Sequence, residues 1–194
     1  MLRRRRERDP LEHVRPELAP ARWRGAVDRA LAHRAQFTAV RDRLGHGPFR
    51  DRLGELAERV DAGVLATWDL VGRADVAERT VASLDPRRAM DELKAARRRL
   101  AAATDAGRDT GGLTEQVEAL AQRHASVQRL QNSVEDVDGR LRLLDARLGA
   151  VVARAAELAA GAGRTDGLDR ALVELDETTH ELEATRRAFE ELGP

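Results

Sequence analysis

Residues 113–158 read LTEQVEALAQRHASVQRLQNSVEDVDGRLRLLDARLGAVVARAAEL. Within them Leu113, Val117, Leu120, His124, Val127, Leu130, Val134, Val137, Leu141, Leu144, Leu148, Val151, Ala155 and Leu158 succeed one another in steps of three or four, and thirteen of these fourteen are apolar. That spacing draws one stripe down an α-helix. At 1.5 Å per residue the stretch makes a rod of about 70 Å, the proportions of a coiled coil rather than of a compact bundle helix. Two three-residue steps meet at Val127, a stammer that overwinds the supercoil locally. Gly139 weakens the helix but leaves the seam in phase, so one continuous helix is predicted. Gly161-Ala162-Gly163 ends it. The next helix, about residues 166–192, sets Leu168, Leu172, Leu175, Leu182 and Phe189 on one side. It most simply folds back antiparallel, giving a long coiled-coil hairpin over residues 113–192.

Moving toward the N-terminus, residues 105–112 (DAGRDTGG) read as a loop. A helix over about 86–104 shows Met90, Leu93, Leu100 and a band of alanines, started by Asp85 as N-cap and Pro86 at the first helical position. A longer helix over about 48–84 presents Phe49, Leu53, Leu56, Val60, Val64, Trp68, Val71 and Val81, with Gly54, Gly63 and Gly72 inside it. The first helix starts near Pro20 and turns Trp23, Val27, Leu31, Phe37, Val40 and Leu44 inward; Gly45-His46-Gly47-Pro48 stops it. Residues 20–106 thus form a hairpin region of three helices. Residues 1–19 lack helical period and contain Pro10, Pro16 and an arginine run, which predicts a flexible Arg-rich tail. The expected fold is all-α, an elongated bundle of about five helices with a long antiparallel coiled-coil hairpin.

Composition narrows the function classes. The chain has 194 residues, 42% hydrophobic and only 3% aromatic, with 34 basic and 34 acidic groups. The lack of cysteine removes disulfides, thiolate nucleophiles and cysteine metal sites. No charge-free stretch approaches the roughly 20 residues that span a bilayer. All basic residues but Lys94 are arginine, isoleucine and tyrosine are absent, and Asn132 is the only asparagine. This is the bias of a GC-rich bacterial gene, which makes arginine weak evidence for phosphate binding. Residues 1–50 hold 13 basic and 6 acidic groups, and residues 51–194 hold 21 and 28. A basic front and acidic rear can steer a partner or favour head-to-tail association.

Motifs that carry chemistry are incomplete. Residues 107–114 (GRDTGGLT) miss the phosphate-binding loop because Leu113 stands where the lysine belongs and a helix precedes them. Glu177 and His180 make one Glu-x-x-His step, whereas a di-iron bundle needs two. The histidines at 13, 33, 46, 124 and 180 form no ligand pair. Ser83, Ser126 and Ser133 lie in no nucleophile elbow. No cofactor, metal or small-molecule substrate is implied.

The expected function is therefore a non-enzymatic cytoplasmic coiled-coil scaffold or adaptor, acting by association with a protein partner or with itself as a homo-oligomer. Its candidate association seam is Val127, Leu130, Val134, Val137, Leu141, Leu144, Leu148 and Val151. The alternative is a protein that binds nucleic acid or an anionic membrane surface through Arg3, Arg4, Arg5, Arg6 and Arg8, with affinity falling as salt rises. In outline, a long helical hairpin with short flanking helices is similar to bacterial membrane-remodelling proteins of the phage-shock type. Those begin with an amphipathic membrane helix, which the Arg-rich start of this chain does not match.

Overall fold

Apolar residues at helical spacing, interrupted by proline and glycine at the expected places, produce five α-helices in the computed structural model, which describes residues 9–43, 48–161 and 165–191. They are α1 (Arg24–Asp42), α2 (Pro48–Leu84), α3 (Pro86–Asp105), α4 (Gly111–Ala159) and α5 (Thr165–Glu191), preceded by a 3-10 turn at Pro16–Leu18. No strand occurs among the described residues. The Asp85 carboxylate accepts from the Arg88 backbone N–H at 3.1 Å, and Pro86 opens α3. Asp85 itself sits at φ 43°, which interrupts the helical hydrogen bonding between α2 and α3. At the other end of α3, Gly107 (φ 62°) donates to the Thr104 carbonyl and Arg108 to that of Ala103. This paired closure needs the left-handed conformation that glycine adopts without penalty.

The spine of the molecule is α4, 49 residues long. Side-chain contacts fix the direction of its neighbours. On α5, the Thr178 hydroxyl and the Glu174 carbonyl accept from Arg147, and Gly167 lies beside Arg154, so α5 runs antiparallel to α4. On α1, Trp23 meets Asp138 and His33 meets Asp145, so α1 runs parallel to α4. Arg34–Asp61 and Arg22–Glu78 ion pairs set α2 antiparallel to α1. Helices α2 and α4 pack directly on each other, with α1 on one side of that pair and α5 on the other; α1 and α5 do not touch. The result is a four-helix body.

The grouping of 20–106 apart from 113–192 does not describe the packing. Helices α1 and α2 share one apolar core with the second half of α4 and with α5. Helix α3 leaves them. It carries on in the direction of α2, barely touches it, and packs on the first half of α4, where Glu92 pairs with Arg123 at 3.1 Å. Its buried Ala89, Leu93, Ala96 and Ala103 stand outside the main core. Helix α3 and roughly the first twenty residues of α4 form a two-helix arm projecting from the body. The physical reason is length: α5 has 27 residues and α1 only 19, so neither can follow α4 to its start.

The expected flexible tail is also corrected over its second half. Leu11, Val14 and Ala19 are buried in the body core, and the Asp9 carboxylate accepts from Leu11 N and from Arg34. Prolines and missing helical period exclude a helix, but they do not exclude burial of an irregular segment. Arg3, Arg4, Arg5, Arg6 and Arg8 lie outside the described residues, as does Leu44.

Three helix glycines differ in what surrounds them. An added Cβ at Gly72 or Gly139 would meet nothing within 4 Å, whereas at Gly63 it would stand 3.3 Å from the Leu148 Cδ2. Gly63 therefore lies on α2 directly against the leucines of α4. Gly72→Ala and Gly139→Ala should each stabilise the protein by about 1 kcal/mol, raising the melting temperature by about 2–4 °C. Gly63→Ala should give less or the opposite sign, because Leu148 must shift. Urea unfolding of the three single variants checks the ranking, and equal gains at all three would contradict the close crossing.

Candidate functional site: the grooves at the root of the arm

The eight residues expected to form an association seam are all buried within a single chain, from 0% exposed at Val137 to 9% at Leu130. From Leu130 to Val151 they face the core made by α1, α2 and α5. The seam is therefore the internal packing surface of the body and is not open to a partner. Farther toward the N-terminus the same stripe is covered by α3 alone, and Leu113, Val117, Leu120 and His124 are only half-buried. Two open faces of the arm result. One continues the line of α1, and the other continues the line of α5. A groove opens at the root of each.

On the α1 side, the turn at Pro20 to Trp23 delivers two side chains to α4. Trp23 Nε1 donates to Asp138 Oδ1 at 2.8 Å, and the Arg22 guanidinium bridges Asp138 at 2.8 Å and Glu78 at 2.6 Å while lying 4.8 Å from the Trp23 ring centroid. Burial works to raise the Asp138 carboxyl. Hydrogen bonds from Arg22 and Trp23 and the charges of Arg22 and Arg142 outweigh it and hold the group below its ordinary value. Beyond this network lies a cleft of about 780 Å³ between the α2–α3 break and α4, lined among others by Arg22, Asp85, Met90, Lys94, His124 and Gln128. His124, the one polar position in the sequence stripe, is half-buried on this cleft, with Nδ1 enclosed and without a hydrogen-bond partner among the described residues.

The shifted carboxylate implies an acid sensitivity with a definite sign. A carboxyl whose folded value is depressed contributes stability that is full above the unfolded value of about 3.9 and is lost as pH falls through the folded one. Asp138→Asn should be about 1–2 kcal/mol less stable than the parent at neutral pH. The gap should close as pH falls from about 5 to about 2. Melting temperatures of the two proteins across that range decide it; a gap independent of pH would remove Asp138 from the account.

On the α5 side, α5 stops at Glu191 and leaves a groove of about 730 Å³ lined by Val76, Leu84, Val127, Leu130 and Phe189, with Arg73, Arg123 and Glu190 at its rim. Val76 is 54% exposed, and this is the more apolar of the two grooves. A signal for it existed in the sequence: a stripe of 46 residues on one helix cannot be covered by a partner helix of 27.

Neither groove assembles a nucleophile with a base. Ser126 donates to its own helix at the Gln122 carbonyl, and His180 Nδ1 faces the Asp176 carbonyl at 2.7 Å on the exposed side of α5. No group of three or more His, Asp or Glu side chains close enough to hold a metal ion occurs among the described residues. No described helix is long and apolar enough to cross a membrane. What the site offers is shape and charge: a thin arm, open on two faces, rooted in two grooves. No known protein family matches the sequence, and no curated protein or solved structure is significantly similar to it.

Proposed function

We propose that this protein is a non-enzymatic cytoplasmic scaffold or adaptor that works by protein–protein association through its two-helix arm. One observation carries the reading: the apolar stripe of α4 is covered by three helices in the body and by one in the arm. Half-buried Leu113, Val117 and Leu120 gain burial only from a further helix laid on the arm, worth about 25 cal/mol for each Å² removed from water. The test is cross-linking in the native host with the full chain and with a Val117→Asp/Leu120→Asp variant. A specific partner, or a second copy, should be captured by the parent and lost by the variant, while thermal unfolding of the body is retained. Capture that is indifferent to the arm would overturn the reading. Salt-sensitive binding of DNA or anionic vesicles by the full chain, lost with residues 1–8, would instead favour the Arg-run alternative.

A further inference from the structure

The α1-side face of the arm is set apart by its charge. Met90 and Lys94 of α3 and His124 and Gln128 of α4 line its root. Helical spacing carries the same face toward the tip through Arg97, Arg98 and Ala101 on α3, and through Ala121 and Val117 on α4. Met90, Val117, Ala121 and His124 are half-buried, while Lys94, Arg97 and Arg98 are exposed. These three cations make no ion pair or hydrogen bond among the described residues. Glu92 is occupied by Arg88 and Arg123, so Asp91 alone opposes them on this stretch of α3. Positions 117, 121, 124 and 128 of α4 carry no acidic side chain. Of the acids at the root, Glu78 is held by Arg22, Asp85 caps α3, and Glu135 accepts from Gln131. The face is a half-apolar strip about 17 Å long, with unneutralised positive charge along its α3 edge.

From this strip we infer that the arm receives an acidic amphipathic helix of a partner protein, laid along α3 and α4 in line with α1. The inference rests on the proposed association role and names the partner's chemistry and the face it takes. In the body, α1 occupies this side of α4 and buries Val27, Ala30 and Phe37 in the core. The incoming helix does for the arm what α1 does for the body. About three turns fill the strip. Apolar residues at helical spacing cover Met90, Val117 and Ala121, and carboxylates on the flank beside α3 meet Lys94, Arg97 and Arg98. Nucleic acid fits less well, because half of the strip is apolar and Asp91 and Glu135 at the root repel phosphates. A second copy fits less well too. Its acidic helix α5 already buries Leu168, Leu172, Leu175 and Leu182 in its own core, which leaves no apolar stripe for the slot.

Site-specific photo-cross-linking of the full chain in the native host tests it. A benzoylphenylalanine replaces either Gln128, exposed on the α1-side groove, or Ser126, exposed on the α5-side groove. Mass spectrometry of each adduct identifies the attached peptide. The expected adduct forms from position 128 and not from 126, and its peptide carries net negative charge with apolar residues at helical spacing. A synthetic copy of that peptide should bind the purified parent and bind Lys94→Glu/Arg97→Glu about tenfold or more weakly, with helix content by circular dichroism unchanged. An adduct to nucleic acid, to this chain's own sequence, or to a neutral or basic peptide overturns the inference. So do equal yields from both positions, or an acidic peptide whose binding ignores the charge reversal. Capture from position 126 alone also overturns it but leaves the association role standing, whereas no adduct from either position removes both.

Discussion

Leu141→Glu is expected to unfold the body of this protein rather than to dissociate an assembly. Leu141 is 4% exposed and lies within the single core shared by α1, α2, α4 and α5. Truncating such a leucine costs about 2–5 kcal/mol, and a carboxylate left there without a partner adds a desolvation penalty of several more. The sum of more than about 5 kcal/mol is comparable with the whole stability of many domains, about 5–15 kcal/mol. Circular dichroism and light scattering at neutral pH check it: the expected result is loss of helix or an aggregating chain, not a folded monomer of normal stability. The same substitution at half-buried Leu120, in the arm, should cost much less and leave the body transition in place. A Leu141→Glu protein that remains folded would show that the stripe is not the packing surface of the body.

The second large effect is expected at Trp23. It is 2% exposed, it caps the start of α1 against α4, and its Nε1 supplies one of the hydrogen bonds that keep Asp138 ionised. Trp23→Ala should destabilise by about 3–5 kcal/mol through the cavity it leaves. It also strips a half-buried carboxylate of a donor, which costs roughly a further 1–3 kcal/mol. Trp23→Phe keeps most of the volume and loses the donor, so its cost should be nearer 1–2 kcal/mol. Urea unfolding followed by far-ultraviolet circular dichroism distinguishes these cases. Equal costs for the two substitutions would mean that the hydrogen bond, and not the packing, holds α1 in place.

The helices of this protein were legible because each is written in local chemistry. The stripe over 113–158, the Asp85-Pro86 start and the Gly161 stop are properties of neighbouring residues, and the elements α2 to α5 fall within a residue or two of where periodicity and capping predict them. The acidic bias of α5 and the basic bias of α3 are equally visible in one dimension. Pairing is different, because an apolar stripe states that something must cover it and not which helix does. The fourteen-position seam looked uniform, yet the reach of α5 and α1 divided it into a closed body and an open arm. The same limit applies to Leu11 and Val14, whose burial depends on irregular backbone meeting the body core, and to the Trp23–Asp138 hydrogen bond across 115 positions of sequence. Spacing and caps therefore determined the helices and their charges. Relative helix length and through-space packing decided which faces closed, where the grooves opened, and that the predicted seam was internal, because burial is a property of the assembled surfaces and not of any one segment.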